Sequence, residues 1–168
     1  MISDEISEVI DQAVGILRGG GVVIFPTDTV MGVGVDALNA AAVSRLFEIK
    51  KREPNNPLPV LLPDESALDT FAIKGNIVAR NLASNFWPGG LTLVLKADLK
   101  LASSIQSTNG TVGFRVPNHP VTLELLRRFG GPITGTSANR SGEDAPSDSD
   151  GLDSWLVDRV DMVVPGAG

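Results

Sequence analysis

The sequence has no cysteine and only one histidine, His119, among its 168 residues. Without cysteine the chain can form neither disulfide bonds nor thiolate metal sites, and one histidine is too few for a histidine-rich metal centre. No apolar run approaches the roughly 20 residues of a membrane-spanning helix. The first ten residues carry acids where a signal peptide carries basic residues. These absences predict a soluble cytoplasmic protein with no membrane partner and no tightly held metal ion.

The composition is that of a folded protein with an acidic balance. Hydrophobic residues make up 42% of the chain and charged residues 20%, and a chain of this length is typical of one domain with a sizeable core. The formal net charge of −6 argues against broad electrostatic capture of nucleic acid. The consecutive cations Lys50, Lys51 and Arg52 nevertheless leave a local basic patch possible at one point of the chain.

Helical and extended patterns alternate along the chain. Apolar spacing predicts helices at 3–18, 39–51, 66–71, 76–86, 121–129 and 152–157. Ser3 or Asp4 could cap the first of these helices, and Asn39 is expected to cap the second. Apolar runs predict strands at 22–25, 30–35, 58–62, 91–95, 111–116, 133–134 and 160–164. Pro59, inside the third strand, predicts an edge strand or a strand start. The order of elements predicts a single α/β (α+β) domain, a twisted open mixed sheet with flanking helices.

The stretch from Gly19 to Asp36 is where the prediction of a small-molecule site begins. An apolar run ends at Pro26, and the hydroxyl-rich turn 27–29 follows it. A strand end, hydroxyl groups and nearby glycines, which let a ligand approach the backbone, together favour one wall of a small-molecule site. A tight turn in which Asp28 bonds its own backbone explains the same residues equally well.

Cations and small polar residues occur at other element ends. Lys50 and Arg52 suit a polyphosphate, although a solvated basic helix end is the simpler interpretation. Ser137 and Asn139 could orient phosphate or ribose, or could cap a helix. Arg115, in an apolar strand, requires either a carboxylate partner or an anionic ligand. The sequence has no P-loop and no evident nucleophile–base pair, which favours a reaction driven by binding and electrostatics.

Taken in order, five segments resemble the YrdC/Sua5 family of threonylcarbamoyl-AMP synthases. They are PTDTVMGVGVDA (26–37), FEIKKREPNNPL (47–58), FWPGGLTLVL (86–95), VGFRVPNHP (112–120) and TSANRSG (136–142). The resemblance implies a YrdC/RibB-like fold with a concave cavity. It also implies a nucleotidyltransferase that converts L-threonine, bicarbonate and ATP to threonylcarbamoyl-AMP and pyrophosphate. The product would supply the threonylcarbamoyl group that a downstream threonylcarbamoyl transferase complex attaches to adenosine 37 of tRNAs.

Residue roles follow from the same resemblance. It implies that Lys50 and Arg52 are the catalytic residues, which neutralise the leaving pyrophosphate together with Mg²⁺ brought by ATP. The implied ATP contacts are Lys50, Arg52, Asn56, Thr111, Ser137 and Asn139. The implied L-threonine contacts are Thr29 and Arg115. No protein metal site is implied.

The chain departs from the family pattern at several positions. Met31 stands where the family usually has tyrosine, Leu61 where it often has histidine, and Lys51 where it usually has glycine. We expect one YrdC-like domain over residues 1–168 that lacks the family's C-terminal closing segment. Two other interpretations are a module that binds double-stranded RNA or tRNA, and a nucleotide-binding paralogue without this activity.

Overall fold

The structure, a computed structural model, describes residues 2–52, 56–72, 76–140 and 142–167. The helices are α1 (Asp4–Arg18), α2 (Ala40–Lys50), α3 (Leu68–Phe71), α4 (Ile77–Phe86), α5 (Pro120–Phe129) and α6 (Ser154–Val157). The strands are β1 (Val23–Pro26), β2 (Met31–Gly34), β3 (Val60–Leu61), β4 (Leu93–Lys96), β5 (Thr111–Arg115), β6 (Ile133–Thr134), β7 (Thr136–Ser137) and β8 (Met162–Val163). Short 3-10 helices occupy Glu65–Ala67, Ser103–Ile105 and Ser149–Gly151.

The strands form two mixed four-stranded sheets. The order is β7-β2-β1-β8 in the first sheet and β4-β5-β3-β6 in the second. The sheets meet just beyond β2, where Thr134 N–H donates to the Val35 carbonyl at 2.9 Å and the Thr134 hydroxyl accepts from Val35 N–H at 3.0 Å. The predicted α/β domain with mixed strands and flanking helices is therefore confirmed, with the strands divided between two sheets.

Side-chain caps fix the starts of the main helices, as their sequences indicate. The Ser3 hydroxyl accepts from Ile6 N–H at 3.3 Å at the start of α1. The Asn39 side-chain oxygen accepts from two N–H groups of the first turn of α2, both at 3.1 Å. Such caps satisfy N–H groups that have no partner within the helix. At its other end α2 stops because Lys51 adopts a left-handed conformation, with φ of 49°.

Two apolar clusters hold the sheets and helices together. In the smaller cluster, α1 and α5 pack on the first sheet through side chains that include Ile10, Leu17, Phe25 and Leu125, all with no exposed area. The larger cluster joins α2, the second sheet and the other face of the first sheet. Both sheets are consequently anchored by close-packed side chains, which gives the strand ends fixed positions.

Two local predictions need correction. The strand β3 pairs with both β5 and β6, so it is an interior strand and the prediction of an edge strand is wrong. The alternative of a strand start is correct, because Pro59 precedes β3 and uses its carbonyl to accept from Gly135 N–H at 2.9 Å. The helix cap predicted as one alternative at Ser137 is also wrong, since Ser137 pairs with Gly32 within a strand.

The junction of the two sheets generates a stability prediction. A Cβ added at Gly34 would lie 1.8 Å from the carbonyl oxygen of Thr134, a backbone atom that no rotamer change can move. We expect Gly34→Ala to lower the free energy of unfolding by about 3 kcal/mol, as over-packing does, in urea denaturation.

The matched control is Gly15→Ala in the last turn of α1, where an added Cβ meets no atom within 4 Å. There the higher helix propensity of alanine should raise the free energy of unfolding by about 1 kcal/mol. Equal stabilities of the Gly34→Ala variant and the unsubstituted protein would show that the junction tolerates a side chain.

Candidate functional site

A cavity of about 190 Å³ opens where the ends of β1, β3, β5 and β7 converge. Three of the predicted site residues, Thr29, Arg115 and Ser137, line it together. Thr27, Leu61, Pro117, Gly135 and Thr136 also line it. Leu61 occupies the position where the resemblance expects a histidine, so this part of the wall is apolar.

The turn between β1 and β2 is organised by Thr27. Its hydroxyl donates to the Val30 carbonyl at 2.7 Å and accepts from the N–H groups of Thr29 and Val30, both at 3.3 Å. The Thr27 and Thr29 hydroxyl oxygens are 3.1 Å apart. The alternative in which Asp28 bonds its own backbone is therefore wrong. Thr27 belongs to the hydroxyl-rich turn that the sequence predicts as a wall of the site, but the sequence analysis names no ligand contact for it; a hydroxyl in such a turn is a recognised turn signal.

Arg115 ends β5 and has two partners from distant parts of the chain. Its Nε donates to the Gly89 carbonyl at 3.0 Å, and its Nη2 donates to Asp28 Oδ1 at 2.6 Å. The side chains of Arg115 and Asp28 are only 16% and 17% exposed. The sequence left open a carboxylate partner or an anionic ligand, and the structure has the carboxylate partner. Arg115 still faces the cavity, so it remains available to a ligand as well.

Lys50 connects the end of α2 to the segment 137–139. Only 5% of the residue is exposed, and its Nζ donates to the Ser137 carbonyl at 2.7 Å, to the Asn139 carbonyl and to Asn139 Oδ1 at 3.3 Å. The interpretation as a solvated helix end is therefore wrong for Lys50. Burial, and then repulsion by the charge of Arg52, lowers the pKa of Lys50 to about 8.

Arg52 lies beside Lys50 but faces a second hollow. Its Nη2 donates to Asn56 Oδ1 at 2.9 Å and to the Pro57 carbonyl at 3.0 Å, which brings two of the predicted ATP contacts, Arg52 and Asn56, together. Arg52 lines a hollow of about 330 Å³ with Phe47 and other residues of α2. Its Nε is buried without a partner in the described part of the chain, and burial lowers its pKa.

Thr111 forms no hydrogen bond with another predicted site residue in the described ranges. It begins β5, and its hydroxyl oxygen is 2.7 Å from that of Ser107. Arg115 ends the same strand, so the two residues are separated by about 13 Å at the usual rise of a strand. Like Lys50, Asn56 and Asn139, Thr111 lines neither of the two hollows, and its assigned contact with ATP stays a prediction.

Arg140 connects the segment 137–139 to α6 through contacts that the sequence does not indicate. Its Nε donates to Asp153 Oδ2 at 2.9 Å, and its guanidinium carbon lies 5.0 Å from the centre of the Trp155 ring. Arg159 approaches the same ring at 4.9 Å. These contacts fasten α6 to the residue that follows Asn139. Together with the Trp155 N–H, Arg140 lowers the pKa of Asp153.

Two negative observations apply to the described ranges of the chain. Within them, no three His, Cys, Asp or Glu side chains come close enough together to hold a metal ion. No helix within them has the length and apolar character needed to cross a membrane.

Comparison with known proteins identifies the fold family. The Sua5/YciO/YrdC family model, which carries the description "Telomere recombination", matches residues 15–167. The chain belongs to this family. It is 39% identical to the threonylcarbamoyl-AMP synthase of Bacillus subtilis, over 98% of this chain and 49% of that protein. It is also 39% identical to a putative threonylcarbamoyl-AMP synthase of Mycobacterium tuberculosis H37Rv, over 92% of this chain and 70% of that protein.

Solved structures of family members share the fold. Sua5 of Pyrococcus abyssi in complex with L-threonine superposes with a TM-score of 0.90 at 35% identity, covering 94% of this chain and 46% of that one. YciO of E. coli superposes with a TM-score of 0.84 at 30% identity, covering 95% and 79%. The chain thus spans about half the length of the B. subtilis and P. abyssi relatives.

The surroundings of Lys50 generate a prediction on its titration. In an NMR titration that follows the Lys50 side chain, we expect a midpoint of about 8, below the usual 10.5. Arg52→Gln should raise this midpoint because it removes a neighbouring positive charge. The control Arg45→Gln should not change it, because the charge of Arg45 is already balanced by Asp161 at 2.6 Å.

The lowered pKa of Lys50 also determines the direction in which the stability of the protein changes with pH. The folded protein releases the Lys50 proton at a lower pH than the unfolded chain does. The contribution of Lys50 to the free energy of unfolding should therefore increase between about pH 8 and pH 10.5. A titration midpoint that remains near 10.5 would contradict the burial of the ammonium group.

Proposed function

We propose that this chain is a threonylcarbamoyl-AMP synthase, which forms threonylcarbamoyl-AMP and pyrophosphate from L-threonine, bicarbonate and ATP. The observation that carries the proposal is the shared cavity of Thr29, Arg115 and Ser137, with Lys50 bound to the backbone behind Ser137. Residues assigned to threonine and to the nucleotide therefore lie next to each other. The names of the B. subtilis and M. tuberculosis relatives and the L-threonine complex of P. abyssi Sua5 support it further.

The proposed chemistry balances without a protein nucleophile. The amine of threonine and bicarbonate form a carbamate and release water. A carbamate oxygen then attacks the α-phosphorus of ATP, the bond from that phosphorus to the bridging oxygen breaks, and pyrophosphate leaves. Arg115 would bind the carboxylate of threonine and Thr29 would contact the same substrate. Lys50 and Arg52 would stabilise the charge of the departing pyrophosphate.

The distribution of charge supports a polyphosphate ligand. In the described ranges, seven ion-pair contacts join arginines to carboxylates, but neither Lys50 nor Arg52 takes part in one. Burial lowers the pKa of both groups, so their positive charge is disfavoured without a nearby anion. A bound phosphate chain would restore the balance and raise the pKa of Lys50.

ATP would bind as its Mg²⁺ complex, with the Mg²⁺ ion held by the phosphates. The residues of this chain would contribute positive charges and neutral hydrogen-bond donors to the binding of the nucleotide. Asn56 and Asn139 each contact one of the two cations, which supports their assignment as ATP contacts. We extend the proposal to the assigned ATP contact of Thr111. The threonylcarbamoyl group of the product would be transferred to adenosine 37 of tRNA by a transferase complex. The region 1–168 would act as one YrdC-like domain.

The decisive experiment measures pyrophosphate release with each substrate omitted in turn. We expect release only when L-threonine, bicarbonate and ATP are all present. Nucleotide binding without threonine-dependent release would instead indicate the paralogue interpretation. Binding of double-stranded RNA that weakens steeply with salt, without pyrophosphate release, would indicate the RNA-binding module.

The role proposed for Arg52 generates a quantitative prediction. Arg52→Ala should lower kcat/KM for ATP by about 100-fold, the loss typical of one removed transition-state donor, and leave the circular dichroism spectrum unchanged. Steady-state pyrophosphate release at varied ATP concentration measures the effect.

Arg80→Ala is the matched control, because Arg80 forms an exposed ion pair with Asp69 away from both hollows that hold the site residues. Exposed pairs contribute little, so this variant should keep nearly full activity. If Arg52→Ala also keeps it, Arg52 does not bind phosphate.

A further inference from the structure

The charge of the cavity comes from a single side chain, and a carboxylate outside the cavity lining balances it. Of the described residues that line the cavity, Arg115 alone is charged. Asp28 does not line the cavity, but its Oδ1 lies 2.6 Å from Arg115 Nη2, and both side chains are more than four-fifths buried. The positive charge at the cavity wall is therefore neutralised by a carboxylate that lies behind it.

The pair is held in one geometry by backbone contacts on both sides. Gly89 accepts from Arg115 Nε at 3.0 Å, and Gly89 N–H itself donates to the Val116 carbonyl at 2.9 Å. On the other side, the hydroxyl of Thr27 fixes the turn that carries Asp28. Arg115 Nη1 has no hydrogen-bond partner among the described residues, so one nitrogen of the guanidinium group is left for a ligand.

A neutral pair discriminates between ligands by their charge. A lone arginine would be satisfied by any carboxylate, because the two charges cancel. With Asp28 in place, a carboxylate at Arg115 leaves one negative charge in excess in a partly buried site. A zwitterionic amino acid removes this excess with its own ammonium group, whereas a plain carboxylic acid does not.

We propose that Asp28 is a positioning and specificity-determining residue, which orients Arg115 and makes the cavity select α-amino acids over carboxylic acids that lack the amine. The inference rests on the proposed function, because it assumes that the amino-acid substrate binds at Arg115. It adds a role for a residue that does not itself line the cavity.

The test compares two ligands that differ only in the amine. Binding of L-threonine and of (R)-3-hydroxybutyrate, which is threonine without its α-amine, is measured by calorimetry for the unsubstituted protein and for Asp28→Asn. Asparagine keeps the shape and the acceptor oxygen but removes the charge. We expect the preference for L-threonine to fall by roughly tenfold in this variant, a modest interaction between partly buried charges.

Two further variants separate specificity from folding. Asp28→Glu keeps the charge and should retain the preference for L-threonine, even if the longer side chain weakens the binding of both ligands. Asp69→Asn removes the carboxylate of the ion pair with Arg80 outside the cavity and should change neither affinity.

The outcomes distinguish this inference from the proposed function. If Asp28→Asn weakens both ligands by the same factor, Asp28 has only a structural role and the inference is overturned. If the unsubstituted protein binds no L-threonine, the proposed function fails and the inference fails with it. A loss of preference in Asp28→Asn alone supports both.

Discussion

The interaction on which the site depends is the contact of the Lys50 ammonium with the backbone of the segment 137–139. It joins the last residue of α2 to carbonyl oxygens 87 and 89 residues further along the chain. Pairing of β7 with β2 holds the same segment from the other side. A buried ammonium group needs acceptors, and here it finds them in the backbone, not in a carboxylate. Its charge is therefore solvated by dipoles but not neutralised, which leaves it able to attract an anion.

The junction of the two sheets explains why a cavity exists beside this contact. Gly34 lets the Thr134 carbonyl approach the end of β2, and an added Cβ would overlap that oxygen. Gly135 follows directly, and a Cβ there would lie 2.7 Å from the side chain of Leu61. The two glycines allow the sheets to cross closely before β7 turns back toward β2. The strand ends then surround an open space, and the hydroxyl-rich turn after β1 forms part of its wall.

The sequence predicts the parts of this arrangement that depend on neighbouring residues. The caps by Ser3 and Asn39 involve residues two to three positions away, and the predicted elements match because their apolar spacing is local. The contacts that build the site are different. Asp28 and Arg115 are 87 residues apart, and the two residues of β7 are too few for a periodic pattern. The burial of Lys50 likewise depends on tertiary packing, which its place in a basic run conceals.

The positive charges of the site differ in whether a carboxylate compensates them. This difference favours a different position for each of the proposed substrates. Arg115 is paired with Asp28, so the cavity has no net charge there, whereas Lys50 and Arg52 have no carboxylate partner in the described ranges. A polyphosphate placed at Arg115 would meet the repulsion of Asp28, and at Lys50 it would meet uncompensated positive charge. A zwitterion gains little at the cationic end, because its own charges cancel. Electrostatics would thus favour the proposed ATP phosphates at Lys50 and Arg52 and the proposed amino acid at Arg115.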